Sequence, residues 1–404
     1  MTDVSPTPPC SIYLVAAEES GDALGASLAR ALRGRGGSRL SLSGVGGRAM
    51  AAAGINSPFP IDELSIFGLT AIPRRLPLIL RRIRETADAI IAARPDAVVI
   101  IDSPDFTHRV ARRVRRRVPS IPILDYVSPS VWAWRPGRAR AMRYYVDCVL
   151  AILPFEPEAY VKLRGPPCIY VGHPLIEHVA DLRPQAGEAE RRLADPPLVL
   201  VLPGSRKSEI DRLLPIFGAA ISRVAKRVGP MDLVLPTTAN RLDRIRAGVA
   251  DWDVKPRIVI EPAEKWAAFR SARAALAASG TVTLELAIAG VPMAAAYLVS
   301  PIEEMVARLM GLHRRLTTVI LANLVLGENV VPEFLQRDCT AEKLADAFVP
   351  LLQLDSPERA RQVTAFGRID GLMKVSSTPS EEAASVVLNA AKPRHDVAAP
   401  EGQR

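Results

Sequence analysis

The chain alternates short, continuously apolar runs with longer segments of mixed polarity, and it does so twice. The first series of runs is 11–17, 97–102, 121–127, 148–153 and 168–172. After a charged, proline-containing break at 181–196, the second series is 198–202, 232–235, 257–261, 274–278 and 293–299. Continuous apolarity is typical of strands that are buried on both faces. Strands that alternate with helices form parallel sheets, so the pattern predicts two doubly wound α/β domains.

The same pattern predicts where the domains begin and end. We predict a first domain over 1–185, a second over 190–365, and a C-terminal helix over 366–391 that packs back on an N-terminal domain. The first residues are expected to be a frayed tail without the pattern of a secretory leader, and 392–404 a disordered tail. No stretch approaches ~20 uninterrupted apolar residues, so no membrane span is expected. Parallel sheets bind ligands beyond the carboxyl ends of their strands, which predicts a site in a central cleft faced by both domains.

Composition restricts the partners. The formal net charge is +9, and residues 66–118 hold 12 arginines against 5 carboxylates. Such an excess favours an anionic partner: a nucleic acid, an acidic membrane surface or a phosphorylated substrate. The nucleic-acid alternative lacks an RNA-recognition signature, a zinc finger or a basic zipper. The 4 cysteines are isolated, which fits a reducing cytoplasm and gives no zinc or disulfide framework.

Two glycine-containing segments follow early strands. In AAEESGD (16–22), the Ser20-Gly21-Asp22 turn starts a helix, whose free N–H groups attract anions or polar substrates. The alternative is that Ser20 or Asp22 only caps this helix. In GVGGRAMAAAG (44–54), the glycine spacing fits a loose dinucleotide fingerprint, with Asp62 at the expected distance. We discount nicotinamide binding, because the fingerprint does not follow the first strand and the run before it is weakly apolar.

A third segment, IDSPDF (101–106), places acids at a strand end. Asp102 faces the predicted cleft, where a partly desolvated carboxylate can act as a general base. Asp105 is a candidate substrate-binding residue, and its alternative role is the helix N-cap before Phe106. A metal here would recruit His108, but no second cluster of ligands supports one, so none is predicted.

The stretch IPILDYVSPSVWAWR (121–135) ends in two tryptophans. Trp132 and Trp134 follow a Ser-Pro-Ser turn and precede a cluster of arginines that begins at Arg135. Aromatic faces beside cations suit a sugar ring or a phosphorylated amphiphile. Packing in the core is the alternative for both rings.

The second domain repeats the strand–glycine–helix arrangement. In LVLVLPGSRKSEI (198–210), Arg206 lies where a helix starts, and an arginine beside helix N–H groups can hold a diphosphate. In AALAASGTVTLELA (274–287), Ser279, Gly280 and Thr281 would offer backbone N–H groups to a phosphate. Glu285, one turn on, can accept hydrogen bonds from a ribose diol, although a capped helix with a solvated Glu285 is the alternative. The chain has no GxxxxGK[ST] loop, so a nucleotide diphosphate is favoured over ATP hydrolysis.

Taken together, these motifs resemble the lipid-A-disaccharide synthase family. The resemblance covers almost the whole chain except both tails, in the family's order. It is carried by eight runs: AAEESGD (16–22), IDSPDF (101–106), YVSPSVWAWR (126–135), LPFE (153–156), GHP (172–174), LPGSRKSEI (202–210), ASGTVTLELA (278–287) and LANLVLGENVVPEFLQ (321–336).

The resemblance implies an inverting glycosyltransferase of the GT-B type, with two Rossmann-like domains facing a central cleft. It implies transfer of 2,3-diacylglucosamine from its UDP derivative to the 6-hydroxyl of 2,3-diacylglucosamine 1-phosphate (lipid X). The products would be the β-1,6 tetraacyl disaccharide 1-phosphate and UDP, a step of lipid A and lipopolysaccharide biosynthesis. No metal and no cofactor are implied. The implied location is the cytoplasmic face of the inner membrane, as a peripheral protein that can form a homodimer through its C-terminal helices.

The family's functional residues fall on matching positions. Asp102 matches the proposed catalytic base, and Ser20 matches the serine of the first loop near the reaction centre, with Glu19 beside it as a candidate substrate contact. Arg206 matches the arginine that holds the diphosphate, and Glu285 matches the nucleotide-binding glutamate. Asn323 matches an asparagine counted among the substrate-binding residues.

This chain departs from the family pattern at two positions. Ala17 stands where glycine is common and Ala322 where proline is common. The first departure affects how closely a substrate approaches the first turn, and the second affects the loop around Asn323. Neither removes a group that the chemistry needs.

The segment 66–93 fits a lipid substrate. Its apolar residues, interspersed with arginines, suit an anionic bilayer surface, with Arg112–Arg117 as part of the same face. The alternative is an ordinary amphipathic helix that packs on the sheet, kinked at Pro73 and Pro77. The apolar positions are Ile66, Phe67, Leu69, Ile72, Leu76, Leu78, Ile79 and Leu80.

Rival functions use the same fold. A glycosyltransferase of peptidoglycan synthesis or a UDP-N-acetylglucosamine epimerase would carry similar diphosphate loops. The amphipathic 66–93 segment and YVSPSVWAWR (126–135) argue against the epimerase.

Overall fold

The structure is a computed structural model that describes residues 10–64, 72–300, 303–305 and 318–391, with no side chains described for 72–75. The predicted N-terminal tail, the predicted disordered tail 392–404 and the apolar positions Ile66, Phe67 and Leu69 lie outside the described residues, as does the side chain of Ile72. Contacts divide the chain into two compact units. The first combines the chain up to Pro174 with the chain from Val375 onward, and the second is Leu175–Lys374.

The first unit has a parallel six-stranded sheet in the order β2-β1-β3-β4-β5-β6. Its strands are β1 (Cys10–Ala16), β2 (Leu40–Val45), β3 (Ala97–Ile101), β4 (Ile123–Tyr126), β5 (Cys148–Ala151) and β6 (Cys168–Tyr170). Its helices are α1 (Glu19–Gly36), α2 (Arg48–Ala52), α3 (Ile72–Ala93), α4 (Pro104–Arg117), α5 (Gly137–Met142) and α6 (Glu156–Lys162). Apolar clusters cover both faces of the sheet, as the continuous apolar runs predict.

The second unit repeats this architecture, with the parallel order β12-β11-β10-β7-β8-β9. Its strands are β7 (Leu198–Leu202), β8 (Asp232–Pro236), β9 (Arg257–Val259), β10 (Ala274–Ala278), β11 (Met293–Tyr297) and β12 (Glu333–Leu335). Its described helices are α7 (Val179–Leu182), α8 (Glu188–Leu193), α9 (Lys207–Val228), α10 (Leu242–Gly248), α11 (Pro262–Ser271), α12 (Thr281–Ile288), α13 (Leu321–Leu326), α14 (Ala341–Leu352), α15 (Pro357–Phe366) and α16 (Ile369–Leu372). The predicted fold class, two Rossmann-like parallel-sheet domains, is confirmed.

The C-terminal segment returns to the first unit. Where one helix was predicted over 366–391, the structure has α16 and then a separate helix α17 (Pro379–Ala391), which packs against α1. The break has a local cause, because Pro379 starts the new helix and the Glu382 carboxylate accepts hydrogen bonds from Ser377 N and Ser377 Oγ, each at 2.9 Å. The boundaries between the units fall at 174 and 375, where the sequence pattern had suggested about 185–190 and 365.

Helix α3 is amphipathic in the described part. Ile79, Ile83 and Ile90 are buried in the core, whereas Leu76 and Leu80 are 41% and 44% exposed. Pro77 lies inside the helix without ending it. Among the described residues, no helix is both long enough and apolar enough to cross a membrane.

Candidate functional site

Each sheet has one point at which the strand order reverses, and several of the candidate residues lie there. In the first unit the reversal lies between β1 and β3, whose last residues Ala16 and Ile101 are paired in register. In the second unit it lies between β7 and β10, where Leu202 pairs with Ala277. Loops leave the sheet on opposite sides at such a point and open a crevice there, so each unit has a place for a ligand.

In the first unit, the crevice brings Ser20 and Asp102 together. Ser20 Oγ donates a hydrogen bond to Asp102 Oδ2 at 3.0 Å, across 82 residues of sequence. The approach is close because Gly21 has no side chain: a Cβ at that position would lie 3.2 Å from the Ile101 carbonyl oxygen. Ser20 is exposed and Asp102 is half-buried, so an incoming hydroxyl group can reach the carboxylate.

The backbone at Asp102 is unusual. Asp102 and Ser103 have φ angles of 53° and 45°, in the left-handed region that residues other than glycine seldom adopt. This conformation turns the chain sharply between β3 and α4. The Asp102 N–H donates to the Tyr126 carbonyl oxygen at 3.0 Å, and the Ser103 N–H donates to Asp102 Oδ1 at 2.7 Å. One carboxylate oxygen is thus held by the backbone and the other by Ser20.

The other two acids predicted here are exposed. Glu19 is solvent-exposed in the first turn of α1. Asp105 has an 89% exposed side chain, 3.7 Å from an Arg138 guanidinium nitrogen. The N-cap alternative for Asp105 is wrong, because α4 begins at Pro104 and Ser103 holds the N-cap position. Asp105 instead lies in the first helical turn, where a negative charge is favourable to the helix dipole.

The GVGG segment has a structural explanation. The buried carboxylate of Asp22 accepts hydrogen bonds from three backbone N–H groups at the start of α2, those of Gly47 (2.6 Å), Ala49 (2.8 Å) and Met50 (3.0 Å). A Cβ at residue 47 would lie 2.7 Å from Asp22 Oδ2, so the glycine is needed for this approach. The N–H groups that would hold a pyrophosphate are occupied by a side chain of the same unit.

The tryptophan loop is anchored by a buried acid that sequence reasoning missed. The indole N–H of Trp132 donates to Glu156 Oε1 at 3.3 Å, and the ring packs edge-on against Phe155 with centroids 5.2 Å apart. Glu156 is 2% exposed, and desolvation raises its pKa to about 7. Trp134 is half-buried, with the Arg135 guanidinium 5.4 Å from its ring centroid. Trp132 therefore braces the loop, and the half-exposed rings remain candidates for substrate contact.

The second unit has a pocket of about 340 Å³ at its reversal point. That volume lies in the range of small-molecule sites, which is ~300–1,000 Å³. All five residues predicted to hold the nucleotide diphosphate line it: Arg206, Ser279, Gly280, Thr281 and Glu285. It is also lined by residues that the sequence did not single out, namely Thr237, Thr238, Arg241, Glu209 and Lys265.

Arg206 and Glu209 form one edge of the pocket. The Arg206 guanidinium is 77% exposed and donates to Glu209 Oε1 at 2.9 Å. The other oxygen of Glu209 accepts from the Ser205 and Arg206 N–H groups, each at 3.3 Å. The two N–H groups just before α9, next to the predicted diphosphate site, therefore already hold a carboxylate. Of the two partners, only Arg206 is extended into solvent.

A second helix start faces the same pocket. The Ser279 N–H already donates to the Ala296 carbonyl oxygen in the sheet at 2.8 Å, although Ser279 lines the pocket. Helix α12 begins at Thr281 with Gly280 as its N-cap. The first N–H groups of a helix have no acceptor within the helix, so Thr281 and its neighbours leave donors at the pocket.

Glu285 has a partner, whereas the alternative interpretation of the sequence had this side chain solvated. Its Oε2 atom lies 3.0 Å from Lys265 Nζ, and its side chain is 15% exposed. Lys265 Nζ also lies 4.4 Å from the centroid of the Trp266 ring, within cation–π distance. Lys265 is on α11, and only the tertiary structure brings it to Glu285, because a lone lysine in a helix carries no sequence signal.

Asn323 is 2% exposed and does not line this pocket. Its side-chain oxygen accepts from the Val330 and Val331 N–H groups at 3.0 and 2.9 Å, and its nitrogen donates to the Val331 carbonyl oxygen at 3.0 Å. These contacts hold the turn after α13. Among the described residues, no group of three or more His, Cys, Asp or Glu side chains has an arrangement that could hold a metal ion.

The fold places the chain in a class of α/β proteins that includes GT-B glycosyltransferases and UDP-sugar epimerases. A UDP-N-acetylglucosamine 2-epimerase from Neisseria meningitidis, solved with UDP-N-acetylglucosamine, superposes with a TM-score of 0.61 at 12% identity, over 94% of this chain and 98% of that one. At that identity, the likeness shows the fold alone.

The family follows from the sequence matches. The family model described as lipid-A-disaccharide synthetase matches residues 12–387. A lipid-A-disaccharide synthase from Rhodopseudomonas palustris (strain HaA2) is 59% identical over 94% of this chain and 95% of its own length, and one from Nitrobacter hamburgensis is 59% identical over 93% and 94%. The chain belongs to the lipid-A-disaccharide synthase family of glycosyltransferases, which confirms the predicted resemblance and sets aside the rival epimerase.

Proposed function

We propose that the chain transfers 2,3-diacylglucosamine from UDP-2,3-diacylglucosamine to the 6-hydroxyl of 2,3-diacylglucosamine 1-phosphate, releasing UDP. The observation that carries this proposal is the pocket of the second unit, which combines an exposed arginine, an open helix start and a carboxylate. The arginine suits the negative charge of a diphosphate, and the N–H groups of the helix start suit its oxygens. The carboxylate can accept hydrogen bonds from a ribose diol. The family match supports the lipid-sugar identity of the substrates.

In the first unit, Asp102 is the proposed general base. The acceptor hydroxyl must lose its proton as its oxygen attacks C1 of the donor sugar, and the Asp102 carboxylate takes that proton. The Ser20 hydroxyl, which donates to Oδ2 at 3.0 Å, orients the carboxylate and lies close enough to contact the acceptor. One in-line displacement forms the new C1–O bond, breaks the bond to UDP and inverts the anomeric centre.

In the second unit, Arg206 and the start of α12 are the proposed sites for the leaving group. UDP gains negative charge as the glycosidic bond breaks, and fixed positive groups stabilise that charge. Glu285 accepts from the ribose hydroxyls, with Lys265 holding its carboxylate in place. Asn323, whose side-chain groups are all hydrogen-bonded internally, contributes through the shape of its turn.

We also propose that the first unit rests on an anionic membrane surface on the cytoplasmic side. Both substrates carry acyl chains that prefer a bilayer. The outer face of α3 supports this, because Leu76 and Leu80 are exposed beside the exposed Arg81 and Arg84. Not every arginine of the 112–117 run belongs to that face, since Arg115 is paired with Asp147.

The reaction is tested by mixing the purified protein with both diacyl sugars and following disaccharide and free UDP by mass spectrometry. Release of UDP without the tetraacyl disaccharide would contradict the proposed acceptor.

Membrane binding is tested by flotation with vesicles containing phosphatidylglycerol. Leu80→Asp should reduce flotation. The matched control is Leu354→Asp, because Leu354 is a leucine of the second unit with similar exposure, 49% against 44%. Equal flotation of both variants would overturn the α3 surface.

A further inference from the structure

The left-handed backbone at Asp102 and Ser103 needs support from its surroundings. Each such residue is energetically unfavourable and persists only where neighbouring structure enforces it. Two elements, β4 and α4, form hydrogen bonds with this turn. From β4, the Tyr126 carbonyl oxygen accepts the Asp102 N–H at 3.0 Å. From α4, Thr107 Oγ1 donates to the carbonyl oxygens of Asp102 (2.7 Å) and Ser103 (3.0 Å).

A buried side-chain pair joins these two elements next to both contacts. His108 follows Thr107 on α4, and Asp125 precedes Tyr126 on β4. Their Nε2 and Oδ2 atoms lie 3.1 Å apart, and both side chains are nearly inaccessible to solvent. Breaking this bond would let α4 shift relative to β4, which are the two elements that enforce the Asp102 conformation.

The hydrogen bonds of this pair continue to Tyr145 and Arg112. Arg112 can only donate, so the Tyr145 hydroxyl oxygen accepts from it at 3.1 Å, and the same hydroxyl group lies 3.1 Å from His108 Nδ1. We assign the proton of the neutral imidazole to Nε2, which donates to Asp125 Oδ2 and leaves Nδ1 to accept from the Tyr145 hydroxyl. Burial raises the pKa of Asp125, and its contact with His108 opposes that rise.

We propose that His108 and Asp125 form a positioning pair, which keeps α4 and β4 in the register that holds the Asp102 carboxylate ready for proton transfer. This inference rests on the proposed function of Asp102. Neither side chain needs to touch a substrate. The pair acts through the backbone that carries the proposed general base, so its loss should lower kcat and leave substrate binding intact.

The test uses a matched pair of substitutions at one position. In His108→Gln, the amide nitrogen lies near the place of Nε2 and keeps the donor to Asp125. In His108→Asn, it lies near the place of Nδ1 and loses that donor. We expect His108→Asn to lower kcat by about 10²-fold, the loss that a misplacement of ~1 Å can cause. The acceptor KM and the Kd for UDP should stay unchanged, and His108→Gln should keep kcat within a few-fold of the unsubstituted protein.

Two further variants separate positioning from general stability. Tyr145→Phe removes a buried hydrogen bond at the other nitrogen of the same ring and should lower Tm with little change in kcat. Asp125→Leu removes the acceptor without leaving a buried charge and should reproduce the loss of kcat, which keeps the proposal testable if His108→Asn does not fold. Unchanged kcat in a folded His108→Asn or Asp125→Leu protein would overturn the pair, as would equal losses in His108→Gln and His108→Asn. If the unsubstituted protein forms no disaccharide, the proposed function fails first.

Discussion

The two crevices differ in how their charged side chains are held in place. In the first unit, the reactive group is one carboxylate on a strained backbone, held by Ser20 and by its own following N–H. In the second unit, the charged groups of the pocket are held by one another, as in the Arg206–Glu209 and Lys265–Glu285 pairs. A general base must lie accurately beside the proton that it accepts. A diphosphate site needs positive charge and hydrogen-bond donors, and its side chains can rearrange when the ligand binds.

This difference separates turnover from affinity. Changes in the first crevice should act on kcat, and changes in the second should act on nucleotide binding. The substitutions below test the effect on kcat, the effect on nucleotide binding, or the stability of the structure that holds the residues in place.

The largest effect is expected for Asp102→Asn. Asparagine tolerates the left-handed backbone that alanine would strain, so the substitution removes the base and spares the turn. Turnover should fall by about 10²–10⁴-fold, the usual contribution of a general base. Disaccharide formation by mass spectrometry measures turnover, and calorimetry should give an unchanged Kd for UDP. Near-normal turnover would mean that another group takes the proton.

A smaller effect, on affinity, is expected for Arg206→Ala. The loss of a charge-assisted hydrogen bond, ~1.5–3 kcal/mol, should weaken UDP binding by about 10–100-fold. Lys207→Ala is the matched control, because Lys207 is the adjacent exposed cation and does not line the pocket. Equal weakening in both variants would indicate a general charge effect instead of a diphosphate contact.

Glu285→Gln should have a smaller effect that is specific to the ribose. A neutral acceptor makes a hydrogen bond weaker by ~1 kcal/mol than a charged one, so UDP binding should weaken by about 5-fold. The preference for UDP over 2′-deoxy-UDP should shrink in the variant. A preference that does not change, measured by calorimetry, would exclude Glu285 from the ribose. Lys265→Met should shift the same preference if Lys265 holds the Glu285 carboxylate.

Glu156 should affect stability instead of activity, through the pH dependence of unfolding. Its pKa rises from 4.5 to about 7 on folding, so the folded state binds the proton more tightly than the unfolded state. The protein should therefore lose stability as the pH rises from 4.5 through 7. Glu156→Gln mimics the protonated acid and should flatten this decline, as read from urea midpoints on either side of that window. An equally steep decline in the variant would assign it to other groups.

Most of the fold could be predicted from the sequence because most strands are continuous runs of apolar residues. Strands β7 and β10 were predicted at their observed bounds, and the other continuously apolar strands within a few residues. Strand β12 was not among the predicted runs, and β2 was noted only as a weakly apolar run. The first half of β2 alternates between half-buried and exposed positions, and β12 has only 3 residues, so neither forms a continuous apolar run.

The candidate site divides in the same way. Residues in the loops that follow a strand, such as Asp102 and Arg206, could be singled out from their position. Glu209, Lys265 and Glu156 could not, because each acquires its role from a partner that folding brings near.

By itself, the amino-acid sequence determined two parallel sheets, the loops that follow their strands and the family to which the chain belongs, since apolar periodicity and motif order are properties of neighbouring residues. Only the tertiary structure decided which groups hold one another: Asp22 at the start of α2, Ser20 on Asp102, and His108 on Asp125. Those contacts join residues between 17 and 82 positions apart. Their distances depend on strand order and register, which no local pattern of side chains encodes.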